Sequence, residues 1–302
     1  MKKLLLSAFV ICLAGTSIAQ ESPLWMRHCA LSPDGTTIAF TYKGDIYTVP
    51  STGGRATQIT TNPAFDTEPV WSPDSKQIAF ASDRMGSLDV FVVSSEGGAP
   101  QRLTTHSGSE KHDACKDNKH ILFTANIAPS AEDAGFPSGQ FQQVYEVAVT
   151  GGRPAMFSSM PMECISINKE GVMLYQDKKG YEDYWRKHQV SPIARDIWTY
   201  TPGKKPVYQK QTTFGGEDRE PVWSPDGKSF YYLSEEKGSF NIFQRTPGTT
   251  TSQQITFHTK HPVRFLSIST TGTLCYGYDG EIYTLTPVSY THLRAHETRS
   301  NL

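Results

Sequence analysis

The sequence predicts an all-β chain: a six-bladed β-propeller of four-stranded antiparallel blades, with the last blade incomplete. Two observations carry that expectation. The residues Glu68-Pro69-Val70-Trp71-Ser72-Pro73-Asp74 return intact as Glu220-Pro221-Val222-Trp223-Ser224-Pro225-Asp226, and the Ser-Pro-Asp core stands a third time at Ser32-Pro33-Asp34. A phrase that recurs along one chain marks a repeat architecture, and alignment on it gives units of about forty residues, the length of a four-stranded propeller blade. The count of such units fits one six-bladed ring better than a split into two domains.

The second unit shows the pattern best. Pro69–Ser72 reads as a short strand, Pro73-Asp74-Ser75-Lys76 as a turn, and Gln77–Ser82 as a strand with Ile78 and Phe80 on one face. Asp83–Ser87 is a loop, Asp89–Ser94 a third strand, Glu96-Gly97-Gly98 a turn and Gln101–Thr104 a fourth strand. Proline presets φ for the first turn and the Asp74 side chain can bond its own backbone two residues on. Gly97-Gly98 supplies the positive φ of a hairpin turn.

The other units follow suit. Unit one has Ile38-Ala39-Phe40, Asp45-Ile46-Tyr47 and Gln58-Ile59-Thr60; unit five has Phe230-Tyr231-Tyr232, Asn241-Ile242-Phe243 and Gln254-Ile255-Thr256. Units three and four begin at degraded turns, around Cys115-Lys116-Asp117 and at Asn168-Lys169-Glu170-Gly171. Unit six runs through Arg264–Ile268, Leu274-Cys275-Tyr276 and Glu281-Ile282-Tyr283 and then stops short of a fourth strand. The propeller is therefore expected over residues 22–287. The stretch 288–302, with Ser289–Thr298, shifts composition abruptly and resembles adaptor read-through, so it is expected to be a non-native or unstructured tail on a fragment.

Units three and four each carry an insertion between their second and third strands, Ala125–Phe141 and Asp177–Arg195. Antiparallel strands send alternate connections to opposite faces, so both insertions should emerge on one face together with the blade-to-blade connections. Long loops on a rigid scaffold are where binding concentrates. That face is the expected working face. The second insertion holds Tyr181, Tyr184, Trp185, Arg186 and Lys187, aromatic and cationic types favoured as contact residues. They are the candidate binding residues for a peptide or its C-terminal carboxylate, against the alternative that they pack the insertion onto its own blade.

The formal net charge is −1, which leaves no footprint for nucleic acid. Lys2-Lys3, the apolar run Leu4–Ala14 and the small residues of Ser17-Ile18-Ala19 read as a secretory signal peptide over residues 1–19, cleaved before Gln20. No later stretch is long and apolar enough to span a membrane. Export, most simply to a periplasm, is the expectation. Cys29, Cys115, Cys164 and Cys275 then remain. Cys29 and Cys164 both lie just before the turn of their own units, one and four, on opposite sides of a six-unit ring. A disulfide tolerates only about 6 Å between Cα atoms, so all four are expected as small buried strand residues.

Catalytic and metal signals are sparse. Asp66, Glu68, Asp83 and Arg84, and Asp218, Arg219, Glu220 and Glu235, recur at equivalent places, which reads as scaffold hydrogen bonding and ion pairs between blades. His292 and His296 have helical zinc spacing without the general-base glutamate, and they fall in the tail. There is no Gly-x-Ser-x-Gly elbow, phosphate-binding glycine loop or Cys-x-x-Cys pair. No catalytic residue, metal or cofactor is expected, and convergent His, Asp or Glu residues at equivalent inner-strand positions are not anticipated.

With these stretches assembled, Ser32-Pro33-Asp34-Gly35, Gly44–Tyr47, Glu68–Asp74, Gly180–Trp185 and Gly277–Tyr283, the chain resembles the N-terminal propeller of exported bacterial tricorn-like serine peptidases. The resemblance spans about residues 22–287. It implies a six-bladed propeller ahead of a seven-bladed one, a PDZ-like domain and a protease domain whose catalytic positions lie outside this chain. It also implies unfolded peptides or protein segments as partners, along with the remaining peptidase domains, and leaves room for a homo-oligomer. TolB-like propellers share the Ser-Pro-Asp phrase, so a stand-alone envelope protein-binding propeller is the other reading.

Overall fold

The computed structural model describes residues 25–106, 110–127, 141–180, 188, 190–287 and 298–299. Blade one is β1 (Arg27–Leu31), β2 (Thr37–Tyr42), β3 (Asp45–Pro50) and β4 (Thr57–Gln58); blade two is β5 (Asp66–Trp71), β6 (Gln77–Ser82), β7 (Asp89–Ser94) and β8 (Gln101–Arg102). Blade three comprises β9 (Glu110–Cys115), β10 (His120–Ala125), β11 (Gln143–Ala148) and β12 (Ala155–Ser158). Blade four comprises β13 (Met162–Ile167), β14 (Met173–Asp177), β15 (Ile197–Thr201) and β16 (Val207–Lys210). Blade five is β17 (Asp218–Trp223), β18 (Phe230–Ser234), β19 (Asn241–Arg245) and β20 (Ser252–Gln254). The last blade keeps three strands, β21 (Arg264–Ile268), β22 (Leu274–Tyr278) and β23 (Glu281–Leu285), and only a two-residue pairing, β24 (Thr298–Arg299), meets its outer edge.

Every blade is a meander in chain order. The first strands form the inner ring: β1 touches β5, β5 touches β9, and so on round to β21, which touches β1. Both insertions fall between the second and third strands of their blades, as the repeats predicted.

Each of six apolar clusters occupies one blade-to-blade boundary. Ala39, Ile46, Trp71, Ile78 and Phe80 fill the boundary of blades one and two, whereas Ala79, Val90, Ile121 and Phe123 fill that of blades two and three. Ile78 and Phe80 thus face one neighbour while Ala79, between them, faces the other. That is why Ile-Ala-Phe is apolar throughout rather than alternating: both faces of the strand are dry. Fully burying each large side chain contributes roughly 1.5–3 kcal/mol.

The repeated phrase builds both a turn and a tie. Ser72 Oγ donates to Asp74 Oδ1 (2.6 Å) and accepts from Gln77 N (2.9 Å); Ser224 and Asp226 repeat the bond at 2.6 Å. These hydroxyl bonds hold the Asp74 and Asp226 carboxyls below their ordinary range. Trp71 Nε1 donates to Ala30 O of the preceding blade (2.9 Å), and Trp223 Nε1 does the same to Val172 O (3.1 Å).

The fourth strands are short, and a threonine pins them. The hydroxyls of Thr60, Thr104, Thr212 and Thr256 accept from Ile46, Val90, Ile197 and Ile242 N at 2.9–3.0 Å. Gln-Ile-Thr and Gln-Arg-Leu-Thr in the sequence are the trace of this contact.

Candidate functional site

The inner strand of every blade carries a register shift, between Arg27 and Ala30, Thr67 and Val70, Glu163 and Ser166, Arg219 and Val222, and Arg264 and Ser267, with the third blade's opposite Leu122 and Phe123. In five of them the bulged residue is left-handed without being glycine: His28 (φ +50°), Glu68 (+57°), Cys164 (+53°), Glu220 (+49°) and Phe265 (+60°). Such a conformation costs an L-residue roughly 1–2 kcal/mol. Bulges re-aim side chains and cluster next to binding sites.

Three of these side chains, from blades six, one and two, meet one another. His28 Nδ1 lies 4.0 Å from Glu68 Oε1, and the His28 ring is 4.6 Å from that of Phe265 on the other side. Glu220 Oε2 accepts from Leu266 N of the next blade (2.8 Å), while Glu220 N donates to Gln176 Oε1 of the previous one (2.9 Å). His28 and Glu68 side chains remain partly exposed, at 24% and 22%. An imidazole, carboxylates and a ring at equivalent inner-strand positions correct the expectation that none converge there. The Glu of the repeated phrase, read as scaffold, lies in this ring. No shared residue type marks the bulge, so periodicity alone could not find it.

Cys164 occupies the position of His28, one place away from the alignment with Cys29 made from the sequence. The turn at Asn168 starts where Ser32 does, as Gly171 N bonds Asn168 O and Gly35 N bonds Ser32 O.

The connections from second to third strands and from blade to blade all open on one face. Exposed large apolar side chains gather there: Trp25 before β1, Phe65 before β5, Met85 between β6 and β7, Val190 between β14 and β15, and Phe257 before β21. Val207 and Tyr208 are exposed instead on the outer strand β16. Singly exposed apolar residues are normal; five of the seven among the described residues share this face, which makes it the candidate working face.

Beneath that face lies a layer of buried charge. Arg84 Nη2 reaches both Asp66 oxygens at 2.9 Å, and its guanidinium covers the Phe91 ring. Arg195 lies 3.4 Å from both Glu163 and Glu217, and Arg219 Nε donates to Glu217 (2.8 Å). Burial opposes the Arg195 charge, but the Glu163 and Glu217 carboxylates outweigh it and raise its pKa. Burial also lifts Asp177 and Asp89. It pushes Asp218 up to about 7, since the Ser234 and Thr212 hydroxyls only partly compensate. These charged residues therefore tie the scaffold both within blades, as Arg84 with Asp66 and Arg219 with Glu217, and across the boundary of blades four and five, as Arg195 with Glu217.

Tyr181, Tyr184, Trp185, Arg186 and Lys187 lie outside the described residues, as do residues 1–24 and most of 288–302. The base of their insertion is anchored: Lys179 bridges Asp177 and Asp196, His188 N donates to Glu235 Oε2 (2.6 Å), and Ser191 N donates to Gly215 O (3.3 Å). The segment is thereby rooted over the boundary of blades four and five. Among the described residues no group of three or more His, Cys, Asp or Glu could hold a metal ion, and no helix is long and apolar enough to cross a membrane.

Fold and inner ring together define a six-bladed propeller with its open connections on an apolar face. The chain belongs to the tricorn protease N-terminal beta propeller domain family, which matches residues 23–291. It is 24% identical over 214 residues to tricorn protease homolog 1 of Streptomyces coelicolor, covering 70% of this chain and 19% of that protein. It is 31% identical over 218 residues to an uncharacterized protein of Agrobacterium fabrum, covering 67% of this chain and 68% of that one. Among solved structures, the tricorn protease superposes with a TM-score of 0.73 at 17% identity, over 88% of this chain and 25% of that one. TolB from Acinetobacter baumannii does so with a TM-score of 0.59 at 14% identity, over 86% and 60%. The chain thus spans about a fifth of the tricorn homologue it matches.

Proposed function

We propose that this chain is the non-catalytic propeller of a tricorn-like serine peptidase, and that it holds unfolded peptide segments on their way to or from a protease domain. The observation that carries the reading is the coincidence of two features in a member of this family. Exposed apolar side chains gather on the face where connections open, and the His28–Glu68 bulge pair stays partly exposed on the inner ring beneath. Extended peptides present apolar side chains and unpaired amides, which those two surfaces suit. Tyr181, Tyr184, Trp185, Arg186 and Lys187 are proposed as further contacts from the inserted segment. The N-terminal segment supports export to a periplasm, with residues 22–287 as the working unit and 288–302 as a tail without function.

The test is fluorescence anisotropy with a labelled unfolded peptide. Tight binding weakened at least tenfold, about 1.4 kcal/mol, by Phe65→Ser with Phe257→Ser supports the reading. Unchanged binding rejects the face, and loss with Tyr184→Ala and Trp185→Ala alone moves the contact to the insertion. Steady peptide cleavage by this chain, abolished by a substitution within it, rejects the non-catalytic role.

A second reading, a stand-alone envelope protein-binding propeller, is favoured by the Agrobacterium fabrum relative, whose length is mostly matched by this one domain. Reading the gene beyond Pro287 separates the two: a second propeller and protease domain, or a stop.

A further inference from the structure

The ring closes where blade six meets blade one, and no strand is shared across that seam. Side chains and a few bonds hold it: Met26 N to Gly280 O (3.1 Å), Leu31 N to Ser267 Oγ (3.0 Å) and Thr270 N to Pro33 O (2.8 Å). In the middle of the seam sit two thiols that lie far apart in sequence. Cys29, from the bulge of β1, and Cys275, the second residue of β22, belong to one apolar cluster and are 4% and 0% exposed. Cys29 Sγ donates to Phe265 O (3.5 Å), and β1 packs directly against β22. Both are free thiols in this structure.

We propose that Cys29 and Cys275 form a disulfide that staples blade one to blade six when the chain folds in an oxidising compartment. The cross-link would join almost the two ends of the ring. A disulfide closing so long a loop restricts the unfolded chain strongly, and it would secure the one blade boundary that the backbone does not itself cross. Cys115 and Cys164, on blades three and four, have no such role: Cys115 faces Val70 O across the boundary with blade two.

The chemistry is thiol–disulfide exchange. One cysteine thiolate attacks a small-molecule or protein disulfide, forming a mixed disulfide and releasing the oxidant's first thiolate. The second cysteine thiolate then attacks the protein sulfur of that mixed disulfide and releases the other. Two protein thiols lose two protons and two electrons, and the oxidant's disulfide becomes two thiols. Burial raises the Cys29 thiol well above its ordinary range, and the neighbouring Cys275 and Glu220 add to the shift. The folded thiol is therefore a poor nucleophile, and the exchange belongs to the folding stage, before the seam is sealed. The physiological setting rests on the proposed export; the pairing does not.

The test refolds the full chain from denaturant in a mixture of reduced and oxidised glutathione. Remaining thiols are then alkylated under denaturing conditions, and the digest is read by mass spectrometry. The expected result is a Cys29 peptide joined to a Cys275 peptide, with Cys12, Cys115 and Cys164 alkylated. Reduction should then lower the melting temperature by about 5–10 °C. Cys275→Ala should remove both the link and the response to reductant, and the oxidised-against-reduced comparison on the native sequence needs no variant. Full alkylation of Cys29 and Cys275, or pairing of either with Cys115 or Cys164, overturns the proposal wherever the protein resides in the cell.

Discussion

His28 and Glu68 meet across the boundary of blades one and two, Nδ1 to Oε1 at 4.0 Å, and each is the left-handed residue of its own strand's bulge. Glu220 holds the same place in blade five, yet it is 8% exposed and accepts a buried amide from Leu266. One structural position thus carries two kinds of carboxylate, one open to the axis and one built into the wall.

Glycine at the two positions should separate them. Glu68→Gly removes roughly 1–2 kcal/mol of backbone strain, offset by roughly 0.5–1 kcal/mol of extra glycine chain entropy and by an ion contact of small worth, so its stability to urea should stay within about 0.5 kcal/mol of the parent while peptide binding falls. Glu220→Gly gains the same relief but strands the Leu266 amide, a loss of about 1–3 kcal/mol. Equal urea midpoints for the two variants would contradict this division.

Trp71 and Trp223 make a matched pair. Replacement of either by Phe keeps most of the packing and deletes the indole bond to the preceding blade. Each should cost about 1 kcal/mol with no change in the denaturant slope. The two losses should add, since the sites lie on opposite sides of the ring.

The repeat was legible because the turn and tie of each blade demand particular residues: Ser and Asp for the hydroxyl–carboxylate bond, Pro for the turn, Trp for the reach to the neighbour. The inner ring was not. His28, Glu68, Cys164, Glu220 and Phe265 share only a register shift, which is a property of pairing between strands and leaves no common letter. The Cys29–Cys275 contact was hidden for a different reason, because it exists only once the ring is closed. The alignment of Cys164 with Cys29 failed on a turn that is one residue shorter at Asn168. The working face could be named from connectivity alone, but its exposed apolar residues could not, because burial of Ile78 and exposure of Phe65 look alike in a hydropathy count.

Arg84 neutralises a carboxylate with no exposure of its own. Arg84→Met keeps the stem over the Phe80 and Phe91 rings and leaves Asp66 buried and unpaired, a loss of about 3–5 kcal/mol. Adding Asp66→Asn should restore most of it. A double variant no more stable than Arg84→Met would show that the pair is not the source of the loss.

Blade five presents the same carboxylate without the arginine. Asp218 aligns with Asp66, but Glu236 stands where Arg84 does. Burial holds the Asp218 carboxyl at about 7 in the folded protein, against about 3.9 in an unfolded chain. Between those values the native state keeps a proton that the unfolded state has released. Stability therefore falls as pH rises from about 4 to 7, by at most about 1.4 kcal/mol per pH unit, and levels off above that. Asp218→Asn removes the buried charge, and with it the penalty, at nearly the same side-chain shape. The variant should match the parent near pH 4 and become the more stable of the two towards pH 7, with the difference constant beyond it. Melting curves across that range read the result directly; a difference that is already present at pH 4, or that shrinks as pH rises, would place the proton elsewhere.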